Sequence, residues 1–226
     1  MEFPKSTEFN KRIPKQKFYD KLSITPDLKE AFKSIASIRW MNKLSQETIN
    51  LDAGQDVTEI QVFEIKLNNK TVEETVLRQI DKQIPYHILF IVEYEGEYQA
   101  WISYKEAGNG KNAFQVDQYY HTEWLSKEEL PIKIEGLNLD SVYESFVRQT
   151  EGNQLVGKSE EKKENLKQII ERTNKVNKLE KQISKLEARI KKEKQLNKKI
   201  EQNSELRIIK RELEEIKNGK NEDGIH

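Results

Sequence analysis

Glu59 to Leu67, EIQVFEIKL, alternates so that Phe63, Ile65 and Leu67 share one face while Ile60, Val62, Glu64 and Lys66 share the other. The spacing predicts a strand. After NNK the period changes: in TVEETVLRQIDKQI, Val72, Val76, Leu77 and Ile80 recur at three- to four-residue intervals, with Thr71 and Glu74 placed as a capping box. A strand, a tight turn and an amphipathic helix form half of an α/β unit. Pro85 closes that helix, and HILFIVEYEGEYQAWISYK reads as two strands about a Glu95-Gly96 turn. Leu89 to Val92 is apolar on both faces, as an interior strand is.

The rest of residues 1–150 carries weaker versions of the same signals. TEFNKRIPKQKFYDKL predicts a short helix capped by Thr7 and split at Pro14 from a turn or a second short helix. Thr25 and Pro26 open a helix with Leu28, Phe32 and Ile35 on one side, ending near Ser37. SIRWMNKLSQETINL predicts one or two strands between Ile38 and Leu51, followed by a DAGQD turn. Beyond an EAGNGKN loop, AFQVDQYYHTEWL predicts another strand. NLDSVYESFVRQ predicts a closing helix capped at Asn138 or Asp140 that buries Val142, Tyr143 and Phe146. This order implies an α/β or α+β head, residues 1–150, with a mixed sheet flanked by helices.

Past a 151–158 linker the pattern becomes heptad. Residues 159–217 contain no Gly or Pro, and Ile169, Val176, Ile183 and Ile190 recur at seven-residue steps, with Leu179 and Leu186 completing an a/d seam. β-Branched residues at a and leucine at d favour a parallel two-stranded coiled coil, so self-association or pairing with a partner helix is expected. The seam slips by about two residues before Leu206, Ile209, Leu213 and Ile216 resume it. A continuous helix is the favoured reading, from the absence of Gly and Pro; an antiparallel hairpin restarted at Asn203 or Ser204 is the competing one. Residues 218–226 are expected to be a disordered tail.

Composition adds three constraints. With 226 residues, 35% hydrophobic and 35% charged, the chain has apolar material for one ordinary core and a polar appendage. The absence of cysteine excludes disulfides, zinc-thiolate sites and thiol nucleophiles. No apolar run is long enough to span a membrane and no secretory segment opens the chain, so a cytoplasmic protein that does not engage a membrane is expected. Although the whole chain is neutral, Lys158 to Lys217 is net +7 and residues 1–157 are net −6. Within the tail, RIKKEKQLNKK concentrates Arg189, Lys191, Lys192, Lys194, Lys198 and Lys199 around one acid, Glu193. That run reads first as a solvated coiled-coil flank and second as a nucleic-acid contact.

One motif suggests catalysis. Glu64 and Lys66, two apart on a strand, present a carboxylate and an ammonium side by side, as a Mg²⁺-dependent nuclease of restriction-endonuclease type requires. Asp52 or Asp56 in the preceding turn would have to supply the second carboxylate, sharing the metal with Glu64, and Glu30 a third. The alternative is a charged, solvated sheet face. No phosphate-binding Gly loop or nucleophile elbow is present; His87 reads as a structural hydrogen-bonder, and Tyr119, Tyr120, His121 and Trp124 as core and rim packing. No cofactor other than Mg²⁺ is implied, and that only for the nuclease.

Several phrases, including PKSTEFNKRIPKQKFY, VTEIQVFEIKL, VLRQIDKQIPYHILF, YEGEYQAWISYKEA and KEKQLNKKIEQNSELRIIKRELEEI, resemble an uncharacterised bacterial family known only as a domain of unknown function. The resemblance spans nearly the whole chain and implies a setting in loci that hold a DNA methyltransferase and a helicase, similar to type III restriction and phage-defence islands. It implies no catalytic residues. Together with the heptads and the incomplete catalytic set, it leads to the expectation of an accessory or scaffold subunit docking on a helicase or methyltransferase, with the nuclease and a nucleic-acid-binding module as rivals.

Overall fold

The computed structural model describes residues 1–21, 25–107, 114–151 and 166–218. The chain divides into two compact units, Met1–Gly152 and Asn153–His226. The expected linker, the EAGNGKN loop and the tail beyond Asn218 fall mostly or wholly outside the described residues.

Six strands build the first unit: β1 (Glu8–Ile13), β2 (Ile35–Ser45), β3 (Glu59–Leu67), β4 (His87–Tyr94), β5 (Glu97–Ala107) and β6 (Phe114–His121). They lie side by side in chain order. All neighbours are antiparallel except β3 and β4. That one parallel step needs a crossover, supplied by α4 (Glu74–Gln83), which buries Val76, Leu77 and Ile80. Phe63, Ile65, Phe90, Val92 and Trp101 pack on the α4 side. α5 (Leu139–Glu151) buries Val142, Tyr143, Phe146 and Val147 and packs against β3, β5 and β6. β4 is buried at every residue but its last, as its apolar run demanded. Glu95 and Gly96, at φ +49° and +86°, form the tight β4–β5 turn.

Two local expectations are corrected. Residues 8–13 form an edge strand, not a helix: Phe9 packs on Trp40 at 4.0 Å, and the register with β2 shifts between Glu8 and Lys11, where Asn10 takes φ +47°. Tertiary pairing overrides a weak local helix signal there, and Pro14, lacking an N–H, follows the strand end; the second short helix beyond it forms as α1 (Gln16–Lys21). The Thr71 capping box does not form, because the Thr71 N–H bonds Asn69 Oδ1 at 3.1 Å and α4 begins only at Glu74. Of the one or two strands expected between Ile38 and Leu51 one forms, β2, and after it the chain makes a four-residue helix, α3 (Gln46–Ile49), boxed by Ser45 and Thr48. By contrast, Thr25 caps Pro26–Ala31 (α2) through the Leu28 N–H as expected, although regular helix stops at Ala31 and a 3₁₀ turn carries the chain to Ser34.

The second unit is a helical hairpin of α6 (Leu166–Lys192) and α7 (Leu196–Lys217). Ion pairs Glu180–Lys217 at 2.7 Å and Glu187–Lys210 at 2.7 Å show the helices running antiparallel. The continuous helix is therefore replaced by a break at Glu193–Gln195, not at Asn203 or Ser204, whose side chains bond the carbonyls of Lys199 and Ile200 inside α7. No Gly or Pro is required for the break. The Glu193 carboxylate accepts the N–H groups of Lys194 and Gln195 at 2.8 and 2.9 Å, and these bonds hold its pKa below the ordinary glutamate value. Of the predicted seam, Ile169, Val176, Leu179 and Leu186 are buried and Ile183 and Ile190 half-buried. The two-residue slip marks the passage from one helix to the next.

Candidate functional site

The Glu-x-Lys pair sits where the strand pattern put it, but its proposed partners lie elsewhere. Lys66 pairs with Glu93 on β4 at 3.2 Å, and that hydrogen bond with the neighbouring charge raises its pKa. Glu64 lines a cleft of about 470 Å³ with Glu8, Lys5 and Lys127. Asp52 and Asp56 belong to a turn clamped onto the start of α5: the Asp140 carboxylate accepts the N–H groups of Gln55, Asp56 and Val57 at 2.7, 3.2 and 2.8 Å. The Leu139 N–H reaches the Asp52 carbonyl at 3.1 Å. Asn138, not Asp140, caps α5, its Oδ1 accepting the Ser141 N–H at 2.9 Å. Glu64 lies five residues along β3 from Glu59, a span of about 16 Å at strand rise, so a turn carboxylate does not share a metal with it. Glu30 is exposed and paired with Lys33. Among the described residues no three His, Asp or Glu side chains are grouped to hold a metal ion.

The Asp140 clamp also explains Gly54. A Cβ there would sit 2.0 Å from Asp140 Oδ1, so Gly54→Ala is expected to push the carboxylate off its three N–H donors. The expected loss is about 2 kcal/mol of head stability, read from urea unfolding; an unchanged midpoint would show that the turn does not depend on this clamp.

Sequence reasoning missed the most connected polar group in the head. Lys105 and Asp81 form an ion pair at 2.6 Å with both side chains fully buried. The ammonium lies 2.6 Å from Asp81 Oδ1 and donates to the Asp81 carbonyl at 3.2 Å and the Tyr86 carbonyl at 2.6 Å. It thus satisfies a backbone carbonyl near the C-terminus of α4, where a cation also suits the helix dipole. Asp81 Oδ2 accepts from Ser103 Oγ at 2.5 Å and the Tyr119 hydroxyl at 2.7 Å. From α5, the Tyr143 hydroxyl bonds the Ser103 carbonyl and accepts the Lys105 N–H, where the β5–β6 register shifts. Burial pushes the Lys105 pKa down and those of Tyr119 and Tyr143 up. Sealed from solvent, the group ties α4, β5, β6 and α5 together.

A signal for it existed. Asp81 stands four residues after Leu77, on the apolar stripe of α4, and Lys105 shares strand parity with Trp101. The aromatic cluster is packing: Tyr119 and Tyr120 are buried, and His121 stacks on Trp101 at 4.2 Å.

His87 is buried edge-on to Tyr143, with ring centroids 4.3 Å apart. Burial first, then the Lys105 charge, pushes its pKa from the ordinary 6.5 to about 3, against smaller opposing effects of a Lys105 backbone hydrogen bond and Asp140. The folded state therefore keeps it neutral while the unfolded chain binds a proton below 6.5. Its contribution to stability is complete above pH 6.5 and declines as pH falls toward 3. The expected loss is about 2 kcal/mol between pH 6.5 and 5, and His87→Phe should flatten that limb in urea titrations; parallel limbs for the two proteins would refute it.

In the helical hairpin, all six cations of the basic run surround the turn. Arg189, Lys191 and Lys192 end α6, Lys194 lies in the turn, and Lys198 and Lys199 stand in the first turn of α7. All six are exposed. The interhelical ion pairs use Lys175, Lys210 and Lys217 instead. Leu196 and Ile200, 70% and 57% exposed, stand among the lysines.

The fold and these features define a two-unit protein: an α/β head with a six-stranded mixed sheet, and a C-terminal helical region. Residues 1–213 match the family described as "Domain of unknown function (DUF4391)", and the chain belongs to that family. No curated protein and no solved structure matches it. No helix among the described residues is long and apolar enough to cross a membrane.

Proposed function

We propose that this protein is an accessory subunit of a DNA-directed assembly, in which the tip of the helical hairpin contacts nucleic-acid phosphate and the head engages a protein partner. The observation that carries the reading is the collection of six exposed cations at one hairpin turn, apart from the acids used between the helices. Lys198 and Lys199 add a physical argument. They occupy a helix N-terminus with no acid in its first turn and no side-chain cap, so they oppose the helix dipole where local stability favours Asp or Glu. A polyanion at the tip would offset that cost. Residues 159–217 contain no aromatic residue to anchor in a lipid interface, which favours phosphate of nucleic acid over a membrane.

The resemblance to proteins of methyltransferase and helicase loci of restriction or phage-defence type supports DNA as the polymer and those enzymes as the partner class. The separation of Glu64 from Asp52 and Asp56 removes the geometric support for a Mg²⁺ nuclease at that position and weighs toward the accessory role. The test is binding of the full chain to labelled duplex DNA across a salt series, against a variant with the tip charges reversed. Binding that ignores salt or charge reversal would defeat the proposal.

A further inference from the structure

A second feature belongs to the head alone and is independent of the hairpin tip. α5 packs over β3, β5 and β6 and leaves the β2 side of that sheet face to the N-terminal segment, which is held there by Asn42 Nδ2 donating to Thr7 Oγ1 at 2.8 Å. From the β5 side, the turn at Ser126–Glu129 brings the Lys127 ammonium over the Tyr98 ring, 6.0 Å from its centroid. These segments wall the cleft of about 470 Å³ that Glu64 lines. That volume lies in the range of small-molecule sites. The floor is apolar, with Val62 and Ile91 buried and Met41 half-buried beside them.

Glu64 stands in that floor. On β3 it shares a face with Val62, and in register it lies beside Ile91 on β4 and Arg39 on β2. An acid and a cation opposed across antiparallel strands ordinarily pair. Here Arg39 donates instead to Asn10 Oδ1 on β1 at 2.7 Å, and Lys66, the next cation on that face, is paired with Glu93 at 3.2 Å. Both neighbouring cations are thus engaged elsewhere, and Glu64 is left half-buried with no hydrogen bond or ion pair to a described residue. The other charges of the lining, Glu2, Lys5, Glu8 and Lys127, are exposed and of both signs, so solvent screens them. Glu64 is the charge of the cleft that is partly withdrawn from water, and it sits among buried aliphatic side chains. A carboxylate so placed gains most from a charge-assisted hydrogen bond.

We infer that the cleft binds one ammonium or guanidinium group, carried on an aliphatic stem that lies on Val62, Ile91 and Met41 while the cation pairs with Glu64. Two sources carry this chemistry: a small free amine or guanidine, and a Lys or Arg side chain of a partner protein. The second rests on the accessory role proposed above; the first does not.

Calorimetric titration of the full-length protein with n-butylguanidine, n-butylamine and agmatine, with 1-butanol as the uncharged control, tests it. At least one cation is expected to bind in the millimolar range or tighter, and the alcohol is expected not to bind. Glu64→Gln, which keeps the side chain's shape and removes its charge, should weaken the cation by about tenfold. Met41→Ala should weaken n-butylguanidine by about threefold with the charge left in place, and thermal melts establish that both variants are folded. An acetylated tetrapeptide amide with one arginine separates the sources: affinity equal to or above that of n-butylguanidine assigns a partner's side chain, and lower affinity assigns a free ligand. The tip-reversed variant should bind every probe as the wild type does, which separates failure of this site from failure of the phosphate contact. Absence of binding by every cation in the millimolar range, 1-butanol binding as well as n-butylguanidine, or equal affinity in Glu64→Gln would overturn the site.

Discussion

Lys105→Met is expected to lower the stability of the head by about 3–5 kcal/mol, a large part of the roughly 5–15 kcal/mol typical of a domain. The substitution keeps much of the stem's packing and removes the charge. It leaves Asp81 fully buried beside two hydroxyl donors without its counter-charge, and strips the Asp81 and Tyr86 carbonyls of their partner. The cost is that of an uncompensated buried charge, not of the pair's net attraction. For that reason Lys105→Met with Asp81→Leu should recover a substantial part of the loss, since an ion pair replaced by apolar groups is often neutral or better. Urea unfolding of wild type, both single variants and the double variant closes the cycle. A loss below about 1 kcal/mol for Lys105→Met would place the pair in the range of solvated ion pairs and sink the account.

Reversal of four tip charges, Lys191, Lys192, Lys198 and Lys199 each to Glu, is expected to abolish DNA binding with little change in the melting of the hairpin. If all six cations meet phosphates, the affinity should fall with a log–log salt slope of about −5 and drop roughly a thousandfold between about 50 and 200 mM salt. Stability should change little because the substitutions act in opposite senses: acids suit the start of α7 and oppose the end of α6. Retained binding in the reversed variant, or a slope near zero, would leave the cations as a solvated surface.

The strands and helices with strong periodicity were legible in the residues. β3 has the bounds its alternation predicted, the Glu95-Gly96 hairpin forms, and α5 buries Val142, Tyr143 and Phe146. The candidate sites were less legible, because each depends on what meets what. Glu64 and Lys66 do share a strand face, yet whether an aspartate joined them depended on Asp140, which lies 84 residues beyond Asp56 in the chain and clamps the turn elsewhere. In the tail, the absence of Gly and Pro favoured one long helix, and a single glutamate accepting two backbone N–H groups ended it instead.

The sequence by itself determined the period of each element, the polarity between acidic head and basic tail, and the exclusion of cysteine chemistry, since these are properties of residue order and count. Tertiary structure decided which charges are solvated and which are sealed. Lys66 and Lys105 both lie on strands of the same sheet and look alike along the chain, yet one is half exposed beside Glu93 and the other has no exposed side-chain surface. Burial and partner geometry arise only when distant segments pack, and they determine the cost of a charge or of an unpartnered oxygen such as that of Gln61.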